Sequence, residues 1–180
     1  AGIVGLAALV VAIAVNELVV LFVALARTRP DPADFIRLVP SRVVWVIAIV
    51  AARYVVFGLV TLGIANAADR LPAVGSVSPV GIGFLVGFVV GAALIGRLLV
   101  ATSLVVTRSE TAVSAIPNSW LATGGAWLHA AVLGLVVLLL TIAYASALQT
   151  VDVVTAAVII AITSVLGGAI QAGTYRAIFM

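Results

Sequence analysis

The sequence predicts an all-α fold: a polytopic membrane protein built as a bundle of five transmembrane helices, N-terminus outside and C-terminus cytoplasmic. Three observations carry that prediction. The 180 residues are 65% hydrophobic and only 8% charged, with a mean hydropathy of +1.40, too apolar for polar surface to cover a water-soluble domain of this size. Five stretches pass the test of roughly 18 apolar residues that a spanning helix sets. The arginines of the short loops alternate between heavy and light along the chain, the pattern that retention of basic residues on the cytoplasmic side produces.

The first span covers 2–26. No basic region precedes it and its apolar run is too long for a signal-peptide core, so it reads as a retained helix. The following loop holds Arg27, Arg29, Arg37 and Arg42, and within it 31–39 reads as one short helix on the cytoplasmic membrane surface. Asp31 is placed to cap it, Pro32 suits its first position, Pro40 is expected to stop it, and Phe35, Leu38 and Val39 share a face. A second span, 43–65, leads to a loop with only Arg70. The third, 80–106, exceeds the roughly 20 residues of a straight crossing and should tilt, bend or project. The third loop, 107–126, carries Arg108 and mixes Pro117-Asn118-Ser119 with Gly124-Gly125, a turn-rich composition flanked by Trp120 and Trp127 as interfacial aromatics. The fourth span, 127–148, is aliphatic on all sides and should face lipid broadly; the fifth, 153–179, ends beside Arg176. No apolar stretch alternates as a barrel strand does, and no internal repeat divides this single domain of residues 1–180.

Charge inside the spans is the most informative feature. Glu17, Arg53 and Arg97 lie ten or eleven residues from Arg27, Arg42 and Arg108 respectively. At about 1.5 Å per residue each is about 15–17 Å from its cytoplasmic boundary, the middle of a hydrocarbon layer about 30 Å thick. A midplane charge costs about 2.5–3.5 kcal/mol or more and is found facing a partner or a water-filled path. Pairing is therefore expected, with Asn16, Gln171 and Tyr54 available as further hydrogen-bonding groups. Two positive charges against one negative leave a surplus, to be met by an anionic ligand, a lipid headgroup, a partner's carboxylate or helix carbonyls. Arginine suits each of these because its planar fork stays charged and binds oxygen pairs bidentately.

Small residues supply a second pattern. Gly83, Gly87 and Gly91 recur every fourth residue in the third span, and Ala157, Ala161, Ser164 and Gly168 form a comparable face in the fifth. Such stripes permit close helix approach, here expected within the bundle, with homo-oligomerisation or a partner membrane subunit as the alternative.

Several chemistries are set aside. The chain has no Cys and no Lys, which excludes thiolate metal sites and a retinal Schiff base, and the lone His129 cannot pair for haem. No GxSxG is present, and Asp31, Asp34, Asp69 and Asp152 fall in loops or at helix ends, so no metal, cofactor or enzymatic role is expected. The net charge of +3 is too dispersed for nucleic acid, and the arginine-only basic set points to a GC-rich prokaryotic source and a plasma-membrane location. Asn16-Glu17 ahead of a basic loop, with Arg53 midway along the next span, resembles the opening hairpin of TerC-like and LysE-type exporters over the first two helices. The Asp-Asn pair of TerC-like proteins is absent and no second acidic copy follows, so no family is assigned. The functional expectation is a small transport protein, or the transport-bearing subunit of a larger assembly, with a charged midplane site for an anion or proton-coupled solute. Its rival is a non-catalytic accessory subunit of a membrane complex.

Overall fold

The computed structural model describes residues 2–25, 32–72, 78–108, 110–150 and 153–179, and side chains within these except at 2–9, 32, 34, 35, 38, 144–150, 153, 154, 156, 157 and 160. Every element among the described residues is helical: α1 Gly2–Leu25, α2 Pro32–Ala68, α3 Pro79–Arg97, α4 Leu99–Arg108, α5 Ala112–Ala122, a 3-10 turn at Gly124–Ala126, α6 Trp127–Thr150 and α7 Val153–Phe179. Among those residues three helical stretches are long and apolar enough to cross a membrane, Val39–Ala68, Pro79–Arg108 and Gly124–Ala143, and Val10–Leu25 is a shorter apolar helix.

The structure departs from the sequence expectation at the first and third loops and gives a definite form to the third span. The expected surface helix at 31–39 is not separate, because α2 runs through Pro40 without a stop. A helical proline removes one backbone bond, yet it is tolerated where neighbouring contacts hold both sides. Here Val39 and Val43 pack into the core, and Arg42 donates to the carbonyls of Val105 and Val106. Asp31, Phe35, Leu38, Arg27 and Arg29 lie outside the described residues or side chains. The third span is interrupted at Leu98, whose φ −99° and ψ 0° separate α3 from α4. The expected third loop is largely helix α5, whose Ala112, Ala115 and Ser119 are buried at helical spacing on one face. Pro117 and Asn118 sit on the exposed face, where their turn-forming chemistry does not interrupt the helix.

Glycine sets how the helices meet. The stripe Gly83, Gly87 and Gly91 lies against α2: a Cβ on Gly83 would strike Ala68, one on Gly87 would stand 2.8 Å from the Cα of Thr61, and one on Gly91 would stand 2.6 Å from the ring of Phe57. The partner numbers fall as the glycine numbers rise, so α2 and α3 run antiparallel. Thr61 Oγ1 donates to the carbonyl of Gly87 at 3.2 Å across this seam. A second seam joins α3 to α6, where Gly96 and Gly134 leave no room for a side chain against Ala130 and Ala92. Gly168 admits Val20 of α1, while Ala161 of the same small-residue face is exposed and Ala157 lies outside the described side chains.

α4 occupies the centre. Leu99 through Val105 are all buried, among α1, α2, α5 and α7. Around it Leu18, Leu21, Val46, Ile49, Val50 and Tyr175 form the larger core cluster, and Ala92, Ile95, Leu99, Val137 and Leu138 form a smaller one between α3 and α6. The opposite face of α6 is open at Val132, Val136 and Leu139, as a lipid-facing surface requires.

Candidate functional site

Glu17 of α1 and Arg53 of α2 meet in the interior, the arginine 2% exposed and the glutamate 9%. Arg53 Nη1 donates to both carboxylate oxygens, at 2.9 Å to Oε1 and 3.0 Å to Oε2. Its Nη2 turns to α4, donating to the carbonyl of Leu98 at 2.9 Å, that of Leu99 at 3.4 Å, and the hydroxyl of Thr102. Thr102 Oγ1 then donates to Glu17 Oε2 at 3.1 Å, closing a ring of three side chains from three helices. Burying a charge is costly unless it is paired and hydrogen-bonded; the ring pairs both charges and engages both Nη atoms of Arg53, while Arg53 Nε is buried without a partner.

The turn at Leu98 supplies part of that capacity. Leu98 N–H bonds the carbonyl of Ile95 at 2.9 Å, and the Leu98 carbonyl accepts from Ala101 N–H only at 3.2 Å, leaving it open to the guanidinium. The Arg97 carbonyl is taken by hydroxyls of the next segment, from Ser119 at 2.8 Å and from Thr123 at 3.4 Å. Thr123 opens the 3-10 turn between α5 and α6. Two helical segments, α3–α4 and α5–α6, are thus interrupted where they touch, beside the ion pair, and the backbone groups freed at the first break are met by side chains.

On the side of Glu17 away from α4 lies a cavity of about 50 Å³ between α1, α6 and α7. Its polar lining is Asn16, Glu17, Thr141, Thr163, Ser164 and Gln171, and Val137 and Leu140 contribute apolar wall. Gln171 is 1% exposed and its Oε1 has no hydrogen-bond partner; Ser164 Oγ is buried and equally unpartnered. Tyr54, one residue from Arg53, shares a hydrogen bond of 3.0 Å with Thr141 on the edge of this space.

No family model, curated protein or solved structure matches the chain. The functional reading therefore rests on this geometry alone.

Of the residues expected at one site, the structure brings together Glu17 and Arg53, and it places Asn16 and Gln171 with Glu17 around the cavity. Arg97 stands apart. Its Nη2 donates to the carbonyl of Trp120 at 2.6 Å and its guanidinium lies 4.4 Å from the centre of the Trp120 ring, so it joins α3 to the end of α5. The surplus positive charge is met by helix-end carbonyls and an aromatic face, both favourable for a guanidinium. His129 is exposed at the start of α6, and no group of three or more His, Cys, Asp or Glu suited to a metal occurs among the described residues.

Sequence reasoning passed over Thr102, Thr123, Thr141 and Thr163, and took Ser119 only as part of a turn and Ser164 only as part of a packing face. One of them left a signal: Thr102-Ser103 is a hydroxyl pair within an apolar span, five residues beyond Arg97. Gly96 and Gly134 were equally silent, since a lone glycine in a glycine-rich membrane helix says nothing of its neighbour.

Proposed function

We propose that the chain is a non-enzymatic integral membrane transport protein, with five spanning helices in a prokaryotic plasma membrane, N-terminus outside, whose route passes the cavity at Glu17 and serves a proton-coupled solute. The observation that carries this reading is the adjacency of two interrupted helices, a buried carboxylate and a polar cavity with unpartnered groups. Interrupted helices are tolerated at membrane depth where their freed backbone is buried in protein or lines a cavity, and transporters place ion sites there.

α1 and α7 have 24 and 27 residues. At about 1.5 Å per residue either is long enough to cross a hydrocarbon layer about 30 Å thick. The inferred orientation is supported by a cluster of basic residues at one end of the bundle. Arg42 caps α4, Arg176 donates to the Ala24 carbonyl in the last turn of α1 at 2.6 Å, and Arg108 lies 4.4 Å over the Phe179 ring. The proton-coupled form is preferred to an anion site because no basic side chain lines the cavity, and Arg97 faces α5.

The test is proton uptake by vesicles reconstituted with the full chain, read with an enclosed pH-sensitive dye under a potassium diffusion potential. Wild-type vesicles should take up protons faster than empty ones, and Glu17→Gln should abolish the difference. Asn16→Leu, which leaves the ion pair in place and fills the cavity, should do the same. Equal uptake by wild-type and empty vesicles would refute the reading.

A second reading, an accessory subunit, is favoured by the internal pairing of both Glu17 carboxylate oxygens with Arg53 and of Oε2 with Thr102. In that case Asn16→Leu leaves every property of the assembly unchanged. A partner helix would have to dock away from the Gly83–Gly91 stripe, which α2 covers.

A further inference from the structure

We propose that the cavity beside Glu17 binds one partly desolvated monovalent cation of about the size of sodium, a second ion beside the coupling proton of the proposed route, and this inference rests on that transport reading. Volume is the first argument. A single water needs about 10–15 Å³, so the 50 Å³ of this half-open cavity is room for a bare cation with one or two waters.

Ligand chemistry is the second. The polar lining offers the Glu17 carboxylate, the amides of Asn16 and Gln171, and hydroxyls of Thr141, Thr163 and Ser164, and it contains no basic side chain. Hard cations without their water take oxygen ligands of this kind. Two of the oxygens, Gln171 Oε1 and Ser164 Oγ, are buried without a partner, and such atoms call for a ligand or an ordered water.

Residual capacity on Glu17 is the third. A carboxylate offers about four lone-pair sites. Arg53 takes one on each oxygen and Thr102 takes a second on Oε2, so the site left over belongs to Oε1. One carboxylate already shared with an arginine supplies too little negative charge for a divalent ion, which gathers several carboxylates and six to eight oxygens. A monovalent ion is the charge the site can meet.

The experiment is thermal unfolding of the full chain in mild detergent, in sodium, lithium, potassium or choline chloride at constant ionic strength. Choline carries a methylated ammonium that oxygen ligands cannot surround as they do a bare ion. Binding to the native state alone raises the midpoint by about 5 °C or more at a hundred times the dissociation constant. The expected result is a saturating rise in sodium relative to choline that Ser164→Ala and Gln171→Leu each remove and Val136→Ala, on the open face of α6, retains. Equal midpoints in all four salts overturn the proposal, as does a sodium-dependent rise that survives both cavity variants. A midpoint that responds to pH and not to any alkali cation also overturns it and leaves the proton as the ion. The wild-type comparison needs no variant to fold. Because binding is read without flux, proton uptake that persists with no alkali-ion effect would sink this proposal alone, and absent proton uptake with an intact sodium effect would sink the transport reading alone.

Discussion

Removing one member of the Glu17–Arg53 pair should cost far more than removing both. In Arg53→Met the Glu17 carboxylate keeps only Thr102, and the carbonyls of Leu98 and Leu99 lose the guanidinium. In Glu17→Gln the guanidinium keeps those carbonyls but stays charged at a site 2% exposed to solvent. Breaking a buried pair in this way costs about 3–5 kcal/mol, because an uncompensated charge is left inside. The double variant leaves no net charge in the interior, and apolar replacement of both members of such pairs is often neutral or stabilising. Two single losses near 4 kcal/mol with a double loss below about 5 give a coupling of about 3 kcal/mol, at the upper end for contacting residues. Reversible unfolding in mixed micelles, followed by circular dichroism across the four proteins, measures each term. Losses that add to within about 0.5 kcal/mol would show that the two side chains do not depend on each other, and the ring of Glu17, Arg53 and Thr102 would be refuted as an energetic unit.

Two further outcomes test the packing and the topology. Gly134→Leu should destabilise by about 3 kcal/mol or more, since any Cβ there meets the backbone of Ala92 and Gly96, whereas Gly63→Ala, in open space within α2, should stabilise by about 0.4–1 kcal/mol; the same micelle assay ranks them, and equal effects would contradict the α3–α6 seam. Because the chain has no cysteine, single introduced thiols report sidedness directly. Ser41→Cys should react with an impermeant maleimide only after the membrane is opened and Asp69→Cys in sealed cells; the reverse pattern would invert the orientation.

The sequence made the charged layer legible because arginine-counted loops give depth, and depth alone placed Glu17 and Arg53 together. It could not say which way a side chain points around its helix. Arg97 shares the depth, yet its contacts are with Trp120 of α5, since its azimuth on α3 differs from that of the Leu98 and Leu99 carbonyls that Arg53 reaches. The glycine stripe was legible as a close contact, and its occupant, α2, was not, because small residues admit any helix. α5 was hidden by Pro117 and Asn118, whose local turn preference is overridden by the burial of Ala112, Ala115 and Ser119. Pro40 misled for the same reason: local chemistry names a stop, and contacts on both sides decide whether the helix obeys.

The turn at Leu98 also bears on how such a chain can change over generations. In an uninterrupted helix, carbonyls at this level would be engaged along the axis by the N–H four residues on, and a guanidinium from α2 would find a poor set of acceptors. Without that guanidinium, the interruption would leave the Leu98 carbonyl with only its long bond to Ala101 in a dry interior. Each feature alone leaves polar groups unmet that the other supplies. The break in one helix and the arginine of another therefore compensate each other, and a change that removes one alone should cost more than a change that removes both.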